Sequence, residues 1–273
     1  CKMCAGNPGC SKEEYEIVDY IKSIYDGQVE EHYRIEGKEI DIYIPDKRIG
    51  IEYDGLRWHG ESLHPDKFNL KGKTEFFRSR GISIVHFFDV EWRKKQGIVK
   101  SMIANRLGLT KRRYYARDLD VRNVPYKEKA DFLESNHIQG NDTSKYCIGL
   151  YCGDLLVCIM TFGTRKLTGG KPKLELMRYC SAIDSIVVGG ASRLLSHFLS
   201  EHEEFSGSEL VTYANLRYSN GKLYEALGFE KSHVSQPCYY YFKGNGLYHR
   251  SKFQKHKLPS LLATYDKNKT EWE

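Results

Sequence analysis

The chain has 273 residues, 40% hydrophobic and 29% charged, with a formal net charge of +6. That length holds two domains with separate cores, and the composition excludes fibrous and disordered classes. No apolar run approaches the ~20 residues of a membrane span and no charged-then-apolar leader opens the chain, so a cytoplasmic protein is expected.

The first ten residues, "CKMCAGNPGC", place Cys1 and Cys4 at the C-x-x-C spacing of a zinc knuckle. A closed tetrahedral site needs four ligands, and a further pair from upstream would complete it. Because the sequence opens on Cys1 rather than Met, it is expected to begin inside a longer chain, with residues 1–10 a remnant of such a knuckle. Cys147, Cys152, Cys158, Cys180 and Cys238 sit in apolar or aromatic surroundings and read as reduced core thiols.

Ser11 followed by Glu14 has capping-box spacing, and Ile17, Val18, Ile21 and Ile24 recur with helical period. On that helix Glu14 projects near the centre of the apolar stripe and Glu16 away from it. Next comes "IDIYIPDKRIGIEYDG", two strands of period two around an Asp46-Lys47 turn. Ile49, Ile51 and Tyr53 share one face, whereas Gly50, Glu52 and Asp54 share the other, the glycine leaving space beside the carboxylates. Like charges one strand repeat apart repel unless a cation sits between them. A loop through Trp58 and His59 leads to an amphipathic helix ending at Gly81; "ISIVHFFDVEW" reads as a strand buried inside a sheet, and "KKQGIVKSMIANRLG" as a closing helix.

After "LTKRRYYARD" the pattern restarts. "KEKADFLESNH" reads as a helix, "YCIGLYCGDLLVCIMTFG" as a hairpin turning at Gly153-Asp154, and "KLELMRYC" as a strand. "SIVVGGASRLLSHFLSEH" and "ELVTYANLRYSNGKLYEALGFEK" each read as a strand followed by a helix. Residues 1–110 carry 18 basic and 18 acidic side chains, leaving 24 basic against 18 acidic afterwards, so the whole positive excess lies in the second part. There it clusters with aromatics around Arg112, Arg113 and Arg117 and around Lys252, Lys255 and Lys257, a composition suited to a polyanion.

Phosphodiester hydrolysis needs a positioned water and neutralisation of charge on the phosphoryl and leaving oxygens, much of which a Mg²⁺ held by one or two carboxylates provides. Asp41, Glu52 and Asp54 on adjacent strands, with Glu14 from the flanking helix, are ligand types for that ion, and His59 is a candidate general acid or base. Tyr53 and Trp58 are either core aromatics or stacking surfaces for DNA.

Together, Ser11-x-x-Glu14, "DIYIP", "IEYDGLRWH" and "GISIVHFFDVEW" resemble the very-short-patch-repair-like branch of the PD-(D/E)XK nucleases, in the form found in phage homing endonucleases named for a Glu, Asp and His-Asp motif. The resemblance covers residues 11–110 and implies a restriction-endonuclease-like fold. It also implies active-site roles for Glu14, Asp41, Asp54 and His59, with Asp41 the principal ligand of Mg²⁺ or Mn²⁺ and Glu52 a second-strand acid. The lysine of the superfamily's E-x-K element is replaced by Asp54, which passes the proton chemistry to His59 or to Lys73 of the next helix.

"VVGGASRLL" places glycines between a strand and a helix, where backbone N–H groups hold phosphates. With "ANLRYSNGK" and the Tyr224–Phe229 stretch "YEALGF", residues 118–260 are similar to GNAT acyltransferases, to the Mom group of DNA-modifying proteins and to the C-terminal module of the same phage endonucleases, within a domain expected to run 118–273. That resemblance implies a cofactor loop of Gly189, Gly190, Ala191, Ser192 and Arg193, with Tyr224 near an acyl-CoA thioester, although the glycine-rich spacing is abbreviated. The expected fold is α/β (α+β), a nuclease domain at 11–110, a basic linker at 111–117 and a GNAT-like domain beyond. The expected function is metal-dependent, site-specific cleavage of double-stranded DNA. The alternatives are an acyl-CoA-dependent enzyme acting on DNA bases and a non-catalytic DNA-binding protein; oligomeric state stays open.

Overall fold

The computed structural model describes residues 11–55, 69–165, 173–238, 240–243 and 246–269. Cys1, Cys4, Trp58 and His59 lie outside the described residues. The described part is mixed α/β.

The first unit runs α1 (Lys12–Ile24), β1 (Glu30–Ile35), β2 (Lys38–Ile44), β3 (Ile49–Asp54), α2 (Asn69–Ser79), β4 (Ser83–Phe88) and α3 (Asp89–Leu107). Its four strands are ordered β1-β2-β3-β4; the first two pairings are antiparallel, and the crossover through α2 makes β3 and β4 parallel. Ser11 Oγ accepts the Glu14 N–H at 3.1 Å, which caps α1. Ile17, Val18 and Ile21 of α1 meet Ile42, Ile51, Tyr53, Val85 and Phe87 on one face of the sheet, with Trp92, Val99 and Ile103 of α3. Ile40, Tyr43, Phe77, Ile82 and Ile84 form a smaller core on the opposite face.

The structure departs from the sequence reading here in five places. Strand β1 was not anticipated, because "EEHYRI" lies at the sheet edge half-covered on both faces and shows no apolar alternation. The hairpin turns through a 3-10 segment, Pro45–Lys47, and then Arg48 at φ 53°, rather than through two residues. The space at Gly50 is filled: a Cβ there would stand 2.8 Å from Ile84 Cγ1 and 3.1 Å from Ile40, so the glycine admits isoleucines rather than a ligand. "DVEW" belongs to α3 and β4 lies at the end of the sheet, not inside it. Glu16 is half-exposed rather than turned wholly away: α3 carries Trp92 against α1, and its Nε1–H donates to Glu16 Oε2 at 3.0 Å.

The second unit contains β5 (Arg112–Tyr115), β6 (Asp120–Asn123), α4 (Tyr126–Asn136), β7 (Tyr146–Cys152), β8 (Leu155–Arg165), β9 (Lys173–Ser181), β10 (Ser185–Val188), α5 (Gly190–Glu201), β11 (Leu210–Thr212), α6 (Lys222–Ala226), β12 (Tyr240–Lys243), β13 (Gly246–His249) and α7 (Leu258–Leu261). Its main sheet is ordered β11-β9-β8-β7-β6, antiparallel except where β11 joins β9. Helix α5 lays Leu194, Leu195 and Phe198 on this sheet, and the Phe198 ring stacks on Phe162 at 3.7 Å between centroids. Lys129, 1% exposed, spends its ammonium on Asp142 O, Asp142 Oδ1 and Ser144 Oγ at 3.0, 3.1 and 3.0 Å, while Asp142 Oδ2 accepts from Thr161.

The basic linker is itself structured: β5 pairs in parallel with β10. The last predicted helix is only the five residues of α6, and 213–221 before it is a loop. Cys147, Cys152, Cys158 and Cys180 are free thiols; Cys158 and Cys180 are buried as expected, but Cys152 and Cys238 are exposed, the first because it stands beside the hairpin turn. No helix among the described residues is long and apolar enough to cross a membrane.

Candidate functional site

Period two on β3 sends Ile49, Ile51 and Tyr53 into the larger core and leaves Glu52 and Asp54 on the other face, beneath α2. Parallel register sets Glu52 beside His86 of β4 and Asp54 beside Phe88. Phe77 anchors α2 in the smaller core, and the turn before it supplies Lys73 and Thr74. Lys73 Nζ lies 2.5 Å from Glu52 Oε2, His86 Nδ1 3.0 Å from Asp54 Oδ2, and His86 Nε2 2.7 Å from Thr74 Oγ1.

Glu52, Asp54 and His86 are all buried, and one ligand atom from each lies within 4.8 Å of the others. Thr74 donates its hydroxyl proton to Leu70 O at 2.8 Å, so it accepts from His86 Nε2–H. In a neutral ring Nδ1 then turns a lone pair toward the Asp54 carboxylate, an arrangement that requires a proton or a cation between them. Glu52 Oε1 is buried without a hydrogen-bond partner among the described residues.

Burial raises the Glu52 pKa well above the carboxylate range; Asp41 and Asp54 add to the shift and Lys73 opposes it. Burial also raises Asp41, against the pull of Lys73 and of the Tyr53 N–H, which donates to Asp41 Oδ2 at 2.8 Å. For Lys73 burial works downward, but Glu52, Asp41 and Asp54 outweigh it and hold the ammonium above its ordinary value. One lysine thus faces three acids. A divalent cation fits that deficit; the two carboxylates suit Mg²⁺ or Mn²⁺, and the imidazole favours a transition metal such as Mn²⁺ over Mg²⁺.

Of the residues singled out in the sequence, Glu52, Asp54 and Lys73 converge here. Asp41 is coupled to them electrostatically but bridges β2 to β3 through the Tyr53 N–H and is outside the three-residue group. Glu14 turns toward His32, with 3.6 Å between Oε1 and Nε2; His32 Nδ1 is 3.1 Å from Glu39 Oε1. The pairs Glu31–Ile42 and Tyr33–Ile40 bracket His32 opposite Asp41, and His32 sits at φ 53°, a left-handed conformation uncommon outside glycine. Neither His86 nor His32 stands out from the sequence pattern. His86 is a single polar position in the run "ISIVHFF", and its facing the same side as Ile84 was the available signal.

In the second unit Gly189, at φ 76°, precedes α5, and Arg193 N–H returns to Gly189 O at 3.0 Å. A cavity of about 470 Å³ opens there between Tyr115, Arg117, Gly189, Ser192 and Arg193. The Arg193 guanidinium donates to Ala116 O. Gly190 and Ala191 are buried, and half-buried Tyr224 packs against the core and Phe229. Arg112, Arg113, Arg117, Lys252, Lys255 and Lys257 are all exposed; Arg112 donates to Ile183 O and Arg117 is 3.6 Å from Asp118.

No family model and no curated protein matches the chain. Among solved structures it is similar to a ribosomal-protein-alanine N-acetyltransferase from Brucella melitensis biovar Abortus 2308, 21% identical over 43% of this chain and 95% of that one, TM-score 0.35. A transcriptional regulator from Bacillus halodurans C-125 matches at 15% identity over 44% of this chain and 99% of its own, TM-score 0.35. An aminoglycoside acetyltransferase from an uncultured soil metagenomic sample matches at 14% over 46% and 97%, TM-score 0.32.

Proposed function

We propose that the first unit hydrolyses phosphodiester bonds of double-stranded DNA with a divalent metal, as a site-specific endonuclease of the homing type, and that the second unit grips the DNA. The observation that carries this is the buried Glu52, Asp54 and His86 group with Lys73 seated on Glu52. Glu52, Asp54 and His86 would hold the ion, which supplies an activated water and offsets phosphoryl charge when bound. Thr74 fixes the imidazole through Nε2, leaving Nδ1 as the ligand atom. Lys73, reaching Glu52 from α2, would offset its charge and keep a proton donor beside it. Exposed Arg112, Arg113, Arg117, Lys252, Lys255 and Lys257 would meet backbone phosphates, giving binding that weakens with salt.

The test is cleavage of supercoiled plasmid carrying the gene's native neighbourhood, with Mg²⁺, Mn²⁺ or EDTA, comparing wild type with Glu52→Gln and Asp41→Asn. Metal-dependent cutting lost in both variants supports the reading; DNA bound by wild type and left uncut with either metal refutes it.

A second reading, acyl transfer from acyl-CoA to a DNA base, is favoured by the cavity at Gly189–Arg193. It expects stoichiometric binding of acetyl-CoA to the full chain, lost on Gly190→Trp, since even a Cβ at Gly190 stands 2.9 Å from the Tyr179 hydroxyl.

A further inference from the structure

Strand β4 is the last in its sheet, so one edge has no strand beside it among the described residues. An uncovered edge is a row of unpaired backbone groups. Here the 213–221 loop of the second unit covers it. Arg217 O accepts the His86 N–H at 3.1 Å, and Arg78 from α2 donates to Leu216 O at 2.7 Å. Arg106 from α3 donates to Tyr218 O. The loop arrives shaped for this: Asn215 Oδ1 accepts the Arg217 N–H at 3.1 Å, and Asn215 O accepts the N–H groups of Tyr218 and Ser219 at 3.1 and 3.0 Å.

Side chains lock the same contact. The Arg217 fork donates to Glu91 at 2.9 and 3.1 Å, and the Tyr218 hydroxyl donates to the same carboxylate. Glu91 in turn accepts the Phe88 N–H at 2.8 Å, at the point where β4 becomes α3. The Arg217 guanidinium lies 3.9 Å from the Phe88 ring centroid, and the Tyr218 ring joins the first unit's core 5.9 Å from Phe87. One partly buried carboxylate thus ties the loop to the residue two places after His86. Bidentate Arg–carboxylate pairs fix orientation as well as proximity.

His86 is therefore held at three points: Nε2 by Thr74, Nδ1 facing Asp54, and its backbone N–H by Arg217 O. The first two come from the first unit and the third from the second. We infer that Arg217 is a positioning residue for the metal group: by clamping Glu91 and the edge of β4, the 213–221 loop sets His86 against Asp54, so the first unit's site is complete only with the second unit docked. This rests on the metal reading of that site. It also gives "NLRYSNG" a task in the fold, since its central residues are committed to β4.

The test uses the full chain with Arg217→Ala, Arg217→Lys and, as a control, Lys95→Ala. Lys95 crosses the same seam elsewhere, 3.6 Å from Glu134 and 3.2 Å from His137 O, without touching β4. Two quantities are read: Mn²⁺ affinity by calorimetric titration, and exchange of the His86 amide with the His86 ring ¹⁵N shifts by NMR. Positioning predicts Mn²⁺ binding weakened about tenfold to a hundredfold in Arg217→Ala, the range for partners that orient a metal ligand, and less in Arg217→Lys. The His86 amide exchanges faster and its ring shifts move in both, while Lys95→Ala leaves affinity and His86 as in wild type. Unchanged affinity and unchanged His86 signals in folded Arg217→Ala overturn the inference; if that variant does not fold, the same result in Arg217→Lys does. Should wild type take up no Mn²⁺, the metal reading falls by itself. The His86 amide then still decides whether Arg217 positions that residue.

Discussion

Acidifying the protein from about pH 7.5 to about pH 5 is expected to cost about 2 kcal/mol of stability through His137 alone. This residue caps α4 where it meets α3: its Nδ1 accepts the Gln139 N–H at 3.1 Å and its carbonyl accepts from Lys95. Burial, reinforced by Arg178 and Lys95 and slightly offset by Asp142, lowers the imidazole from 6.5 to about 3. Because the folded pKa is depressed, the unfolded chain binds more protons below pH 6.5. The stabilisation is complete above that value and is lost as pH falls toward 3. Each pH unit inside the window is worth about 1.4 kcal/mol, and about 1.5 units lie between 6.5 and 5. Protonation would also convert Nδ1 from acceptor to donor and break the bond to Gln139. Urea melts at both pH values, on wild type and His137→Asn, isolate the effect, since asparagine keeps an acceptor but does not titrate. Wild type should lose about 2 kcal/mol more than the variant. Equal losses, or an imidazole titrating near 6.5 in the folded protein by NMR, would refute the argument.

Three further outcomes are expected. Mn²⁺ at about a hundred times its Kd should add about 2.7 kcal/mol to wild-type stability in thermal or urea melts and nothing to Glu52→Gln. Lys129→Met should cost about 3–5 kcal/mol in urea melts, because it strands the buried Asp142 carboxylate; a loss below about 1 kcal/mol would mean that the pair contributes no more than a surface bridge. Gly50→Ala should cost about 1–3 kcal/mol by calorimetry through the clash with Ile84 and Ile40.

What could be read in the sequence follows how local each signal is. Glu52 and Asp54 were legible because strand periodicity assigns them a face without reference to the rest of the chain. Lys73 was legible only as an alternative, since its arrival at Glu52 depends on how α2 crosses the sheet. His86 was hidden because a lone histidine in an apolar run ordinarily reads as core; its meaning comes from parallel register with a strand more than thirty residues earlier. Strand β1 lacks an alternating pattern because neither of its faces is fully covered. The docking of Arg217 on Glu91 spans 126 residues and joins two units whose own patterns are each self-contained, so no local period announces it.

The segment between the units looked like a tether of basic residues, yet Arg112–Tyr115 is hydrogen-bonded in register along Ser185–Val188, and Ala116 behind it is buried and held by Arg193. A tether lets two bodies sample many separations, whereas a paired strand acts as a ruler. Under the proposed nuclease reading, with both units on one duplex, the spacing between their contacts would be set by strand pairing rather than by chain length. On that reading, lengthening this stretch would shift where the first unit meets the duplex relative to the second instead of merely loosening the grip.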